Sequence, residues 1–390
     1  MLRDVGERSV EKVSAQAVFR VDSMIHTLTT HSRTVGVSHL AADSARHRRA
    51  RTITWIFALV AVLVAVCCVS LTLGPVSISL DRIAQVLTAA VTGGVLPDSA
   101  ANDAAILTEL RAPRIVMAVL AGAGLSVAGV VLQAVVRNLL ADPYVLGVNS
   151  GASCGAALAI LFGAGAGFGE YALQTSAFLG ALVAMGLVLV VARVAGRMTS
   201  TRLLMAGVSV GYALSALTSF LVFASDSAEG SRSVTFWLLG SLSLATWGGP
   251  LVVAAVVVFA AVAVAMVGGR LLDALAAGDE TALTVGVNPD RLRLVAMVLV
   301  SVVVGVVVAA VGSIGFVGLV VPHVARRLVG TAHAAVVPVA ALLGAVLLVV
   351  ADMAARVVMA PQELPVGIIT ALVGTPLLLV LVRRLRAGEA

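Results

Sequence analysis

The sequence predicts an all-α polytopic membrane protein with ten transmembrane helices. Three observations carry that prediction. The chain is 60% hydrophobic and only 12% charged, whereas a soluble domain averages about 45–50% apolar and about 25% charged residues. Long apolar runs recur from Ile53 to the C-terminus, so the membrane part is one domain. The basic residues gather at the ends of alternate runs, as the positive-inside rule requires.

Residues 1–50 differ in kind from the rest of the chain. They are polar, carry five of the chain's 20 acids and four of its six histidines, and show no sustained periodicity. They read as a disordered cytoplasmic tail, with a start codon assigned too far upstream as the rival explanation. No signal peptide is expected, because Arg46, Arg48, Arg49 and Arg51 lead straight into a full-length apolar run. The ten membrane segments have cores at 53–73, 114–136, 146–163, 172–195, 202–223, 249–268, 292–311, 314–327, 335–358 and 364–382, forming the domain 51–390. With both termini in the cytoplasm, 21 of the 26 basic residues fall on inner segments and 5 on outer ones.

Two blocks break the ordinary pattern of spanning helices. The first is GSIGFVGLVVPHVARR, Gly312 to Arg327. Its apolar run, Ile314 to Val321, is shorter than the roughly 20 residues a spanning helix needs. Short segments interrupted by Gly and Pro are tolerated where backbone is buried in protein or lines a cavity, which points to a transporter. The second is GVVLQAVVRNLLADPYVLGVNSGAS, Gly129 to Ser153. It leaves one helix, turns at Asp142-Pro143 and re-enters at Leu146. Pro143 biases Asp142 away from helix.

Two further stretches have their own logic. On the fifth helix Gly207, Gly211, Ser215 and Ser219 recur every four residues and make a narrow stripe of small side chains. Such stripes let helix backbones approach closely. The inner segment 271–292 reads as two short helices: Gly278 ends the first, Asp279 is a candidate N-cap of the second, and Gly286 ends that. Asn288-Pro289 then opens the seventh membrane helix. Leu271, Leu272, Leu275 and Leu283 are expected to be exposed, and exposed apolar patches mark a partner or a lipid surface.

These blocks closely resemble the iron-siderophore and cobalamin ABC importer permeases, the FecCD/BtuC-like transmembrane subunits. Further matches occur in the family's order: RAPR at Arg111–Arg114, TSTRLLMAG at Thr199–Gly207, FWLLGSL…W from Phe236 to Trp247, and ELPVGIITALVGTP at Glu363–Pro376. Nearly the whole membrane region is covered; the first 50 residues are not. Leu139 stands where the family carries proline. The resemblance implies a type II importer permease that pairs with a second, identical or homologous permease around a central pathway. It implies two ATP-binding subunits below and an extracytoplasmic substrate-binding protein above, in a bacterial cell membrane. Asn138 and Leu140 match one side of a cytoplasmic gate, and Ser200 and Thr201 the other. Gly207, Gly211, Ser215 and Ser219 match pathway-lining positions. Leu275, Gly278, Asp279, Glu280, Leu283 and Gly286 fall in the segment that docks on the ATPase. Arg111, Arg114 and Arg356 match positions that meet the binding protein; an Asp352–Arg356 pair on one helix is the alternative for the last.

Several classes are excluded or weakened. Lys12 is the only lysine, so no Gly-rich Lys-Ser/Thr phosphate loop exists. The chain is therefore expected to be no enzyme and to bind no cofactor, ATP and magnesium belonging to the partner ATPase. Cys67, Cys68 and Cys154 lack metal-ligand spacing, and His323 stands alone. The net charge of +6 sits at helix ends and signals no nucleic acid. The expected job is ATP-driven uptake of a ferric siderophore, with cobalamin or haem as alternatives. An ion-coupled secondary transporter is the competing class, but such carriers bury acids along the ion path, and no Asp or Glu lies near a membrane midplane here.

Overall fold

The computed structural model describes residues 46–74, 78–92, 98–194 and 198–387. The chain divides at Ile53 into two units. Of the first, only residues 46–53 are described, and they are helical; the rest of the expected tail lies outside the described residues. The helix that carries the first apolar run, α1 (Arg46–Thr72), thus begins seven residues before the expected core.

Each of the other nine expected segments is also a helix. They are α4 (Ala112–Val136), α5 (Val148–Phe162), α6 (Ala172–Val194), α7 (Ser200–Phe223), α9 (Gly249–Val267), α12 (Pro289–Val311), α13 (Val317–Val329), α14 (His333–Val357) and α15 (Val366–Ala387). Seven helices among the described residues are long and apolar enough to cross a bilayer, counting α4 with the helical turns that precede it. The apolar parts of α5 and α15 are shorter, and α13 has only 13 residues. Helices α2 (Leu80–Thr92), α3 (Asp98–Ala105) and α8 (Ala228–Leu238) lie between membrane segments, and the inner segment supplies α10 (Gly269–Ala277) and α11 (Asp279–Thr284).

Helix α4 is the hub of the second unit. Most of its apolar span is buried, and α9, α12, α13 and α14 pack around it. The hydrophobic effect does not drive helices together in lipid, so close backbone approach has to. Here glycine permits it. A methyl group at Gly122 would overlap the Gly344 carbonyl where α4 crosses α14, and one at Gly129 would overlap the Gly318 carbonyl where α4 crosses α13. Gly151 and Gly180 do the same for α5 and α6.

The break between α12 and α13 follows from backbone conformation. Gly312 (φ 71°) ends α12 and Phe316 (φ 69°) starts α13 from the left-handed region. Most of the short α13 is enclosed by protein: Val317 to His323, Ala325 and Val329 are buried, while Val324 and Arg327 are exposed. That matches the requirement that an interrupted membrane segment not face lipid.

Candidate translocation gate and coupling segment

Arg137 takes a left-handed conformation (φ 51°) and ends α4. The chain then makes a tight exposed turn. Asn138 Oδ1 accepts from the Leu140 amide at 2.9 Å, and the Asn138 carbonyl accepts from the Ala141 amide at 3.0 Å. Asn138, Leu139 and Leu140 are exposed. Leu139, the departure from the family's proline, keeps a fixed place because His323 Nε2 donates to its carbonyl at 2.7 Å. Asp142 then caps the 3₁₀ turn Pro143–Leu146, accepting from the Tyr144 amide at 2.9 Å. Burial pushes the Asp142 carboxyl up to about 6, although the amides of Tyr144 and Phe316 pull it down. The Tyr144 hydroxyl accepts from the Ile314 amide. Asp142 and Tyr144 therefore fix the loop between α12 and α13.

Gln133 is not singled out by the sequence pattern, yet it proves central. It is buried on α4, and its Nε2 lies 3.4 Å from the Ala141 carbonyl, 3.4 Å from that of Gly318 and 3.3 Å from that of Leu319. Its Oε1 accepts from Arg326 at 2.5 Å. Pro322 explains the placement: lacking an N–H, it leaves the Gly318 carbonyl without its helical donor. The signals in the sequence are a lone amide inside an apolar run and its match to the glutamine that the resembling family carries four residues after Gly129.

The second side of the gate divides. Thr201 is exposed at the start of α7. Ser200 is buried and donates to the Val135 carbonyl of α4 at 3.3 Å, so it ties two helices and does not face an opening. The small-residue stripe divides likewise. Gly207 and Gly211 pack against Gly147, the left-handed residue (φ 75°) between the 3₁₀ turn and α5. They serve helix packing rather than an open wall. Ser215 and Ser219 are exposed, with Ser215 Oγ 3.3 Å from Ser150 Oγ.

The inner segment forms the two short helices expected, but its faces differ. Leu272 and Leu275 are buried in the core, which corrects their expected exposure; α10 lays them against the bundle. Leu271, Leu283 and Val285 are the exposed apolar side chains, with Glu280 and Gly286 beside them. Gly278 (φ 128°) occupies the N-cap position of α11, so Asp279 is not the cap. The Asp279 carboxylate turns inward to Arg293 on α12, with Nη1 to Oδ2 3.1 Å and Nη2 to Oδ1 2.5 Å. Asn288 caps α12 as expected, accepting from the Arg291 amide at 3.1 Å.

At the opposite end of the bundle, the three arginines expected on a rim are drawn inside. Arg111 and Arg356 are buried and Arg114 nearly so. Arg114 binds Asp352 at 2.8 Å and Glu363 at 2.8 Å. Arg356 binds Asp352 one turn away at 3.1 Å, the Leu73 carbonyl at 2.9 Å and Ser70 Oγ at 2.5 Å. Arg111 donates to the Leu71 carbonyl. The last turn of α1 has carbonyls without intrahelical donors, and these cations satisfy them. All three arginines are thus engaged within the permease, and the Asp352–Arg356 pair, the alternative reading for Arg356, is present.

Among the described residues, seven helices long enough to cross a bilayer and three shorter apolar ones, with α4 as their buried hub, define a polytopic α-helical membrane protein of the permease type. The chain belongs to the FecCD transport family, whose model matches residues 62–384. It is 38% identical to the cobalamin import system permease protein BtuC of Halobacterium salinarum, over 87% of this chain and 98% of that protein. It is 38% identical to the Fe(3+)-citrate import system permease protein YfmD of Bacillus subtilis, over 72% of this chain and 81% of that one. Among solved structures it is similar to an inward-facing putative metal-chelate type ABC transporter, with a TM-score of 0.73, 33% identity, and coverage of 84% of this chain and 98% of that one.

Proposed function

We propose that the chain is the membrane-spanning subunit of an ATP-driven importer of metal chelates, with a ferric siderophore as cargo and cobalamin or haem as the alternatives. Two copies, or this chain and a homologous one, enclose the pathway. Separate ATPase subunits dock on the exposed Leu271, Glu280, Leu283, Val285 and Gly286 surface, and a substrate-binding protein delivers cargo at the other end. Both termini are cytoplasmic. Asn138, Leu140 and Thr201 form the gate on the ATPase side.

The observation that carries this reading is the common position of two features on one end of the bundle. The exposed Asn138–Leu140 turn and the exposed apolar face of α11 both lie there, joined through Arg137 and Asp279, which approach to 3.8 Å. Family membership supports the ATP-driven class, and relatives named for cobalamin and for ferric citrate support a chelate. The test is reconstitution with a cognate ATPase and binding protein. Labelled ferric siderophore, ferric citrate, cobalamin and haem are offered in turn, with ATP or a non-hydrolysable analogue inside the vesicles. ATP-dependent uptake of a ferric siderophore is expected. Uptake that ignores ATP and collapses with a protonophore would overturn the class, and uptake of cobalamin or haem alone would overturn the cargo.

A further inference from the structure

One guanidinium joins three places that the proposed mechanism needs joined. Arg293 lies in the second turn of α12 and is only 1% exposed. It holds Asp279 of the coupling segment through two hydrogen bonds. Its Nη1 also donates to the Met198 carbonyl at 3.0 Å, two residues before Ser200 opens α7. Asp279 Oδ1 in turn lies 3.8 Å from Arg137 Nη1, and Arg137 is the residue immediately before Asn138. A methyl group at Gly278 would sit 3.5 Å from the same Arg137 nitrogen, so backbone and side chain meet there. Asp290 approaches Arg293 at 3.8 Å from the first turn of α12.

The chemistry of this cluster is particular. A bidentate guanidinium–carboxylate pair fixes direction as well as distance, which a single hydrogen bond does not. One partner is buried and the other is about one-third exposed. The buried partner is anchored in a membrane helix, and the exposed one rides on a six-residue helix whose outer face carries Leu283. A second tie holds the same segment: Asp273 of α10 accepts from the His333 amide at 3.0 Å and pairs with His333 Nδ1 at 2.5 Å. The coupling segment is thus fastened at both of its helices, and the Asp279 fastening alone leads to both sides of the gate.

We propose that Asp279 and Arg293 are positioning residues that transmit movement of the coupling segment to both gate segments, through the Met198 carbonyl to α7 and through Arg137 to the Asn138–Leu140 turn. The inference rests on the ATP-driven importer reading and names the link within it. Asp279 is on this account an inward strut, and the ATPase meets its neighbours Glu280 and Leu283.

The test uses the complete complex with its ATPase in lipid nanodiscs. Cys67, Cys68 and Cys154 are changed to Ser, and Leu140→Cys reports the gate by its rate of reaction with a maleimide. In the complex without further change, nucleotide should alter that rate by about tenfold or more. Asp279→Asn should reduce the response to less than twofold while ATPase association and hydrolysis stay within about twofold. Asp279→Glu, which keeps the carboxylate, should restore most of the response. Arg293→Lys, which keeps charge but loses the fork, should fall between. A full response in Asp279→Asn with the complex assembled overturns the proposal. Loss of the ATPase from Asp279→Asn also overturns it, because Asp279 would then be a contact and not a strut. A flat response in the complex without further change overturns the importer reading beneath it, and is told apart because Asp279 is intact there.

Discussion

At Gln133 one amide serves three segments, and its removal is a sharp test of how the interrupted helix is held. Gln133→Leu keeps the volume and leaves Arg326 and the Gly318 carbonyl without that partner. Unsatisfied buried polar groups cost about 1–3 kcal/mol each, more when charged. The purified permease should melt several degrees lower in detergent, and an unchanged midpoint would show that the amide is dispensable. Asp142 gives a pH signature. Its folded carboxyl titrates at about 6 against an ordinary 3.8, so the folded state keeps a proton that the unfolded chain has lost. Its contribution to stability is full below pH 4 and is lost as pH rises towards 6. Two units correspond to on the order of 3 kcal/mol. Asp142→Asn keeps the cap oxygen and removes the titration, so its melting curve should gain on the unmodified protein between pH 4 and 6.5; parallel curves would count against the burial argument. Arg356 belongs to the same scale. Breaking one side of a buried ion pair costs about 3–5 kcal/mol, so Arg356→Glu should depress the folding of the permease itself, and normal melting with weak binding-protein docking would restore the rim reading. The burial of these arginines was not legible in the sequence, because Arg111 and Arg356 are distant in the chain from the carbonyls at the end of α1 that they cap, and Arg114 is distant from the Asp352 and Glu363 that it pairs with.

At the scale of elements, the coupling segment separates what a sequence states from what packing decides. Gly278, Gly286 and Asn288-Pro289 announced two short helices and the start of α12, since each is a local backbone signal, and the helices are present. Which leucines face out depends on how α10 lies against α4, α9, α12 and α14, and that is tertiary information. Leu275 is 0% exposed and Leu283 is 52% exposed. Two substitutions expected to act alike from the sequence should therefore part. Leu283→Asp should leave the melting of the permease unchanged and remove the ATPase from the purified complex. Leu275→Asp should bury a carboxylate at a cost of several kcal/mol and lower the yield of folded permease before any ATPase is added. Co-purification of the ATPase with Leu283→Asp at normal stoichiometry would place the interface elsewhere. The α7 stripe teaches the same lesson. Its period was legible, but the level at which packing by Gly207 and Gly211 gives way to the exposed Ser215 and Ser219 was set by Gly147 of another segment.

For the molecule as a whole, the ten membrane segments were legible because apolar length and Lys/Arg placement are bulk properties that lipid imposes on sequence. Helices α2, α3 and α8 were not, since they are short, lie outside the apolar runs and owe their place to local packing such as the Ile78, Ile83, Val86 and Leu107 cluster. The same bulk argument predicts the orientation that the proposed importer needs. If the Asp279 end is cytoplasmic, Glu170 before α6 and Asp226 after α7 lie outside, and Glu280 of α11 lies inside. All three side chains are accessible to solvent, so a cysteine at any of them is reachable from its own side. Glu280 replaces Asp279 as the inner reporter because the Asp279 carboxylate is held by Arg293. In a chain lacking Cys67, Cys68 and Cys154, a membrane-impermeant maleimide applied to intact cells should label Glu170→Cys and Asp226→Cys within minutes. Glu280→Cys should label only after the membrane is opened. Labelling of position 280 in sealed cells, with none at 226, would invert the bundle, put the Asn138–Leu140 turn on the outer surface and remove the gate from the ATPase side.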